Sequence, residues 1–160
     1  MTIVICDNAA LSALADLDLL SELARFFGEV SLTESVFREA THRNAPRRLR
    51  ELLAGQPSWI DVRPDPEPLL HETRSLGKGE ASSITAAYDS KLPALLVLDD
   101  LAARKIARSM DLRMAGVVGL LGRFAKAGQI DFSETTIRLR RTGFWITDNI
   151  VDQVRRELGL

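Results

Sequence analysis

Residues 94–100 read Ala-Leu-Leu-Val-Leu-Asp-Asp, and residues 2–8 read Thr-Ile-Val-Ile-Cys-Asp-Asn. Each is a short apolar run that ends on an acid. A run of this length without polar alternation is the signature of a strand buried on both faces, as in a parallel sheet covered by helices. The segments between and beyond them alternate in the same sense. Leu11, Leu14, Leu17 and Leu20 recur at helical spacing, followed by Leu23 and Phe27, with Gly28 as the stop. Residues 29–32 predict a second strand, and Thr33 caps a helix over 35–41. Leu49, Leu52 and Leu53 mark another helix ended by Gly55, and residues 59–62 alternate as a third strand before the loop of Pro64, Pro66 and Pro68.

Downstream, Leu76-Gly77-Lys78-Gly79-Glu80 is a glycine-flexed turn into a helix whose inner face would hold Ile84, Ala87 and Tyr88. Ala103, Ile106 and Ala107 place a helix after the 94–98 strand, and residues 114–118 read as a last short strand or a turn into the helix over 120–127. A basic stretch, Arg138, Arg140 and Arg141, precedes Phe144-Trp145-Ile146, and Thr147 or Asp148 can cap a final helix over 150–158. Strands alternating with helices predict an α/β fold with a mainly parallel sheet. The chain of 160 residues suits a single domain, 1–160, with 144–160 as a C-terminal helical extension.

Composition narrows the function. The formal net charge is −1, with 21 Lys and Arg against 22 Asp and Glu, and 46% of residues are hydrophobic. Cys6 is the single cysteine, so a disulfide framework and a multi-cysteine zinc site are excluded. His42 and His71 are the only histidines, and both fall away from the strand ends, as surface residues. No apolar run reaches the roughly 18–20 residues of a membrane span, and residues 1–6 do not form a signal peptide. A cytoplasmic location is the expectation, with no membrane partner.

In parallel sheets ligands bind at the carboxyl ends of the strands. Asp7 and the pair Asp99-Asp100 each follow directly on a strand, Glu80 opens a helix after a flexible turn, and Glu39 lies on the helix after the second strand. Taken singly, each acid has a structural explanation. Asp7 or Asn8 is a natural helix N-cap, as is Asp99 or Asp100, and Glu80 suits the positive end of a helix dipole. Taken together they suggest a site for a hard divalent cation, magnesium or manganese, since gathered carboxylates repel unless a cation neutralises them. Metal-assisted phosphodiester hydrolysis fits such a set.

Five segments resemble the PIN-domain superfamily, in the branch near the VapC-type toxin ribonucleases. They are V-I-C-D-N-A-A-L-S-A-L (4–14), L-T-E-S-V-F-R-E-A (32–40), L-G-K-G-E-A-S-S-I-T-A-A (76–87), L-L-V-L-D-D-L-A-A-R-K-I-A (95–107) and G-V-V-G-L-L-G-R-F-A-K-A-G-Q-I (116–130). The third and fourth are the most specific. The resemblance implies a three-layer α/β/α domain and a magnesium- or manganese-dependent ribonuclease. It implies the acids Asp7, Glu39 (Glu34 in the alternative register), Glu80, and Asp99 or Asp100. Asn8 departs from the pattern, standing where relatives often carry a small hydroxyl residue. The resemblance further implies an RNA substrate, a small cognate antitoxin covering the acidic groove, and a homodimer.

The RNA track is expected at Arg43, Arg47, Arg48 and Arg50, with Lys78 at the rim and Arg104 four residues after Asp100 on the same helix face. Arg138, Arg140 and Arg141 are the alternative track, and a solvated face explains either group as well. Two other readings compete: a non-catalytic nucleic-acid-binding or protein-interaction module on the same fold, and a receiver-like phosphoacceptor domain. The second places its acidic pair after the first strand, whereas here the pair follows a late one.

Overall fold

The computed structural model describes Met1–Leu160. A five-stranded, all-parallel sheet has the order β3-β2-β1-β4-β5, with β1 Ile3–Cys6, β2 Val30–Thr33, β3 Ile60–Arg63, β4 Ala94–Val97 and β5 Arg113–Ala115. Nine helices surround it: α1 Asn8–Asp16, α2 Leu20–Phe27, α3 Glu34–Thr41, α4 Arg47–Ala54, α5 Lys78–Asp89, α6 Leu101–Ser109, α7 Val117–Lys126, α8 Phe132–Arg141 and α9 Asp148–Leu158. The architecture is three-layered α/β/α. No helix is long and apolar enough to cross a membrane.

Side-chain alternation explains why the strands read as unbroken apolar runs. Val4 and Cys6 of β1, with Val97 of β4, face one core shared with α1, α3, α4 and α7. Ile5, Leu96 and Leu98 face the other, shared with α5 and α6. With both sheet faces dry, β1 and β4 are apolar throughout, and the polar residues of β2, Ser31 and Thr33, are buried with hydrogen-bond partners in Arg63 and Ser82. β3 is an edge strand, and its residues are only partly covered. The C-terminal helices join the larger core: Phe132, Leu139, Val151 and Val154 are all buried there.

The chain first winds outward from β1 through β2 to β3, then returns across the sheet to lay β4 against the free side of β1. The direction of winding therefore reverses between β1 and β4. A crevice opens at such a reversal, outside the carboxyl ends of the two strands. Asp7 and Asp99 are the residues that emerge there, and the Asp7 N–H donates to the Val97 carbonyl at 3.0 Å.

Three local expectations change. The first leucine series spans two helices, because Asp18 takes a positive φ of 58° between α1 and α2. Tyr88 is 55% exposed; it sits in the last turn of α5, where its hydroxyl stays in water and avoids burial without a partner. The basic stretch at 138–141 is the end of a helix, α8, capped by Asp131 accepting from the Glu134 N–H at 2.8 Å.

Candidate active site

Asp7 is 3% exposed. Its Oδ1 accepts from the Ala10 N–H at 2.8 Å and so caps α1, while its Oδ2 accepts from the Asp99 N–H at 3.3 Å. Asp99 in turn accepts from the Val117 N–H at 3.0 Å through Oδ2. This bond ties the end of β4 to the first turn of α7. The two carboxylates thus stand side by side, each held by a helix N-terminus. Arg104, one turn into α6, donates to the Leu98 carbonyl at 2.7 Å, and its charge favours the ionised form of Asp99.

Those contacts do not fully compensate the carboxylates for leaving water. Burial, with the charges of Asp99 and Glu80, pushes Asp7 up to about 7 against the pull of two backbone N–H groups. Burial pushes Asp99 up to about 6 against the Val117 N–H and Arg104. Glu39 is raised as well, by burial and then by the charge of Glu80, and the Gly79 N–H opposes the shift. Glu80 is therefore the link, close enough to act on both Asp7 and Glu39. Repulsion thus couples the acids pairwise, Glu39 with Glu80 and Asp7 with both Glu80 and Asp99.

Three glycines make this approach possible; at Gly77 a Cβ would stand 2.7 Å from Glu80 Oε2. A Cβ on Gly79 would stand 2.6 Å from Glu39 Oε1 and 2.9 Å from Oε2. One on Gly116 would stand 3.1 Å from Asp99 Oδ1 and 3.2 Å from an Arg104 guanidinium nitrogen. Sequence spacing marks none of them as a site residue. Gly79 lies inside the quoted glycine turn, but its reason, a carboxylate from another helix lying against it, exists only in three dimensions. Ser82 and Ser83 both donate back to the Gly79 carbonyl, and Ser82 shares a 2.7 Å hydrogen bond with Thr33, the cap of α3. This small buried polar net fixes the start of α5 against the end of β2.

The remaining expected residues divide. Asp100 is exposed and caps α6, accepting from the Ala103 N–H at 2.9 Å. Glu34 is exposed in the first turn of α3. Lys78 is exposed beside a hollow of about 630 Å³ that it shares with Asp65, Pro66 and Pro68. Arg47 pairs with Glu51 at 2.7 Å, Arg48 pairs with Asp18 at 2.9 Å, and Arg50 donates to the Ala45 carbonyl at 3.1 Å. Arg43 is exposed and makes no ion pair. Of the alternative track, Arg138 donates to the Leu17 carbonyl at 2.7 Å and Arg140 pairs with Asp148 at 2.6 Å. His42 is exposed, and with Asn8, Ser12, Arg38 and Glu39 it lines a groove of about 470 Å³. The buried Oδ1 of Asn8 has no hydrogen-bond partner.

No three His, Cys, Asp or Glu side chains form a ready-made cage for a metal ion. The donor chemistry still suits a hard cation: carboxylate oxygens only, with Asp7 raised by burial and like charge and Asp99 raised by burial. Magnesium binds commonly through one or two carboxylates and keeps several waters, so it does not need a third protein ligand held in advance. Cys6 is fully covered, and its thiol is pushed up by burial, so it offers no competing nucleophile.

No curated protein and no solved structure matches the chain. A family profile described as PIN domain matches residues 3–160, nearly the whole length. With the parallel sheet, the winding reversal at β1 and β4, and the acids that emerge there, the match shows that the chain belongs to the PIN-domain family, whose members are generally nucleases.

Proposed function

We propose that the protein is a magnesium- or manganese-dependent endoribonuclease of the VapC toxin type. Its working acids are Asp7, Glu39, Glu80 and Asp99. One observation carries the reading: Asp7 and Asp99 are two adjacent carboxylates at the winding reversal, raised to about 7 and about 6 with no lysine or arginine in a salt bridge to either. An arrangement built for stability alone would have brought a cation into contact with them, where Arg104 acts on Asp99 without a salt bridge, or replaced one of the acids. A site that takes its cation from solution needs them both.

In this reading Asp7 and Asp99 would hold the ion, with Glu80 reaching it directly or through water. A bound divalent cation supplies an activated water near neutral pH and stabilises charge on a phosphoryl oxygen. The chain's own residues do the rest. The helix N-termini that cap Asp7 and meet Asp99 keep each carboxylate's orientation fixed. Arg104 holds the end of β4 from one side and can meet a phosphate oxygen. Glu39, raised by burial and by Glu80, is placed to accept a proton from water at the edge of the site. A small antitoxin covering the acids and a homodimer belong to the same reading.

The test is cleavage of a single-stranded RNA with magnesium or manganese and with chelator. Cleavage is expected only with the metal, and Asp7→Asn or Asp99→Asn should reduce it by at least about a hundredfold, as loss of a direct ligand should exceed the 10–100-fold cost of losing its supporting partners. RNA binding without any metal-dependent cutting would instead establish the non-catalytic module.

A further inference from the structure

A second groove, of about 510 Å³, runs between α6, β5 and α7 on one side and the segment from Phe144 to α9 on the other. Asp99 lines it, so it opens onto the proposed site. Its volume falls within the roughly 300–1,000 Å³ of small-ligand clefts. The lining combines two features, of which the fold engages only Arg104, at the Leu98 carbonyl. The first is Trp145, 81% exposed, on the connection between α8 and α9. Exposing most of an indole forgoes its large apolar burial. The second is a set of three arginines, Arg104, Arg108 and Arg123, none of them in a salt bridge. Arg123 is half-buried, and burial together with the charge of nearby Arg113 disfavours its cationic form. Positive charge is crowded here without a carboxylate in contact; Asp99 and Glu157 are the acids on the lining.

An exposed aromatic face beside cations that lack carboxylate partners is how proteins bind single strands without reading sequence. Bases stack on the ring, and the backbone follows the charge. We propose that this groove seats single-stranded nucleic acid, with one unpaired base stacked on Trp145 and flanking phosphates on Arg108 and Arg123, and so fixes how the strand reaches Asp99. A duplex would keep that base inside its own stack, which restricts the substrate to single strands or unpaired loops. The inference deepens the nuclease reading and rests on it for the role of Asp99.

The experiment uses the full chain and a labelled ten-nucleotide single-stranded RNA, with binding measured by anisotropy in chelator so that no cutting intervenes. Trp145→Ala should weaken binding about tenfold or more, and Trp145→Phe should keep most of it. On a strand of the same length made of abasic residues, parent and Trp145→Ala should bind alike. Arg108→Ala with Arg123→Ala should lower the slope of log K against log salt by about 0.7 for each phosphate that the variant no longer neutralises. Equal RNA affinity for parent and Trp145→Ala overturns the proposal and leaves the groove to a protein partner. Equal loss on the normal and abasic strands also overturns it, since stacking would then play no part. Metal-dependent cutting is scored separately on the parent. Its absence alongside the Trp145 effect fails the nuclease reading and leaves the groove; its presence without that effect does the reverse.

Discussion

Asp7 does two jobs with opposite energetic signs. As the cap of α1 it stabilises the fold through Oδ1, an interaction that Asn performs about as well. As a buried charge beside Asp99 and Glu80 it destabilises the fold, which is why it is raised to about 7. Because the folded value lies above the unfolded one, the folded chain binds more protons than the unfolded chain between about pH 4 and pH 7. Stability without metal is therefore expected to fall as pH rises through that window, and Asp99, raised to about 6, adds in the same direction. On the order of 4 kcal/mol is at stake at Asp7. Urea unfolding in chelator from pH 5 to pH 8 should show the decline, and Asp7→Asn should flatten it. Added magnesium should stabilise the parent most at the alkaline end and the variant little. A parent curve that is flat or rises with pH would mean that these carboxylates are adequately solvated and have no need of a cation.

Neighbouring residues of one element are separated more sharply than the sequence could separate them. Asp99 and Asp100 follow the same strand, and position along the chain leaves them equivalent. Alternation decides between them: Leu98 points to the smaller core, Asp99 continues the side of Val97 and reaches α7, and Asp100 turns back to cap α6. Asp99→Asn should thus lose cleavage while unfolding, in chelator at neutral pH, no more readily than the parent. Asp100→Asn should keep both, and Asp100→Ala should cost about 1 kcal/mol of stability with cleavage intact. Loss of cutting in Asp100→Asn would return that residue to the site. β1 and β4 were legible in the sequence, because dry sheet faces demand unbroken apolar runs; β5, three residues at an edge, reads as a strand or a turn. The helix caps were legible to within one residue, because capping is local chemistry: Thr33 stands alone, and the choices at residues 7–8, 99–100 and 147–148 fall to Asp7, Asp100 and Thr147. Helix α8 was not, since its buried face mixes Phe132 and Leu139 with Thr135 and Thr136. The contact of Glu39 with Gly79 joins two helices far apart in the chain, and no spacing rule reports it.

Across the whole molecule, the formal charge of −1 conceals an uneven distribution. The acids gather at the carboxyl edge of the sheet, which is also where α1, α6 and α7 begin, so the positive ends of their dipoles partly offset the repulsion. A polyanion approaching that edge needs cations at its margins that are not already engaged. Arg47 and Arg48 are held by Glu51 and Asp18, and Arg50 by the Ala45 carbonyl. Arg43, whose chain neighbours His42 and Asn44 line the groove that holds Asn8 and Glu39, is not. Arg43→Ala should accordingly weaken RNA binding and lower the slope of log K against log salt by about 0.7 if it makes one phosphate contact. Arg47→Ala and Arg48→Ala should leave the slope almost unchanged and alter stability only by the small amounts that exposed pairs carry. Metal affinity, measured in parallel, should be the same in all three, because none of these side chains touches the strand-end acids. If Arg47→Ala or Arg48→Ala lowers the slope as far as Arg43→Ala does, those ion pairs open when RNA binds, and the whole face of α4 belongs to the track.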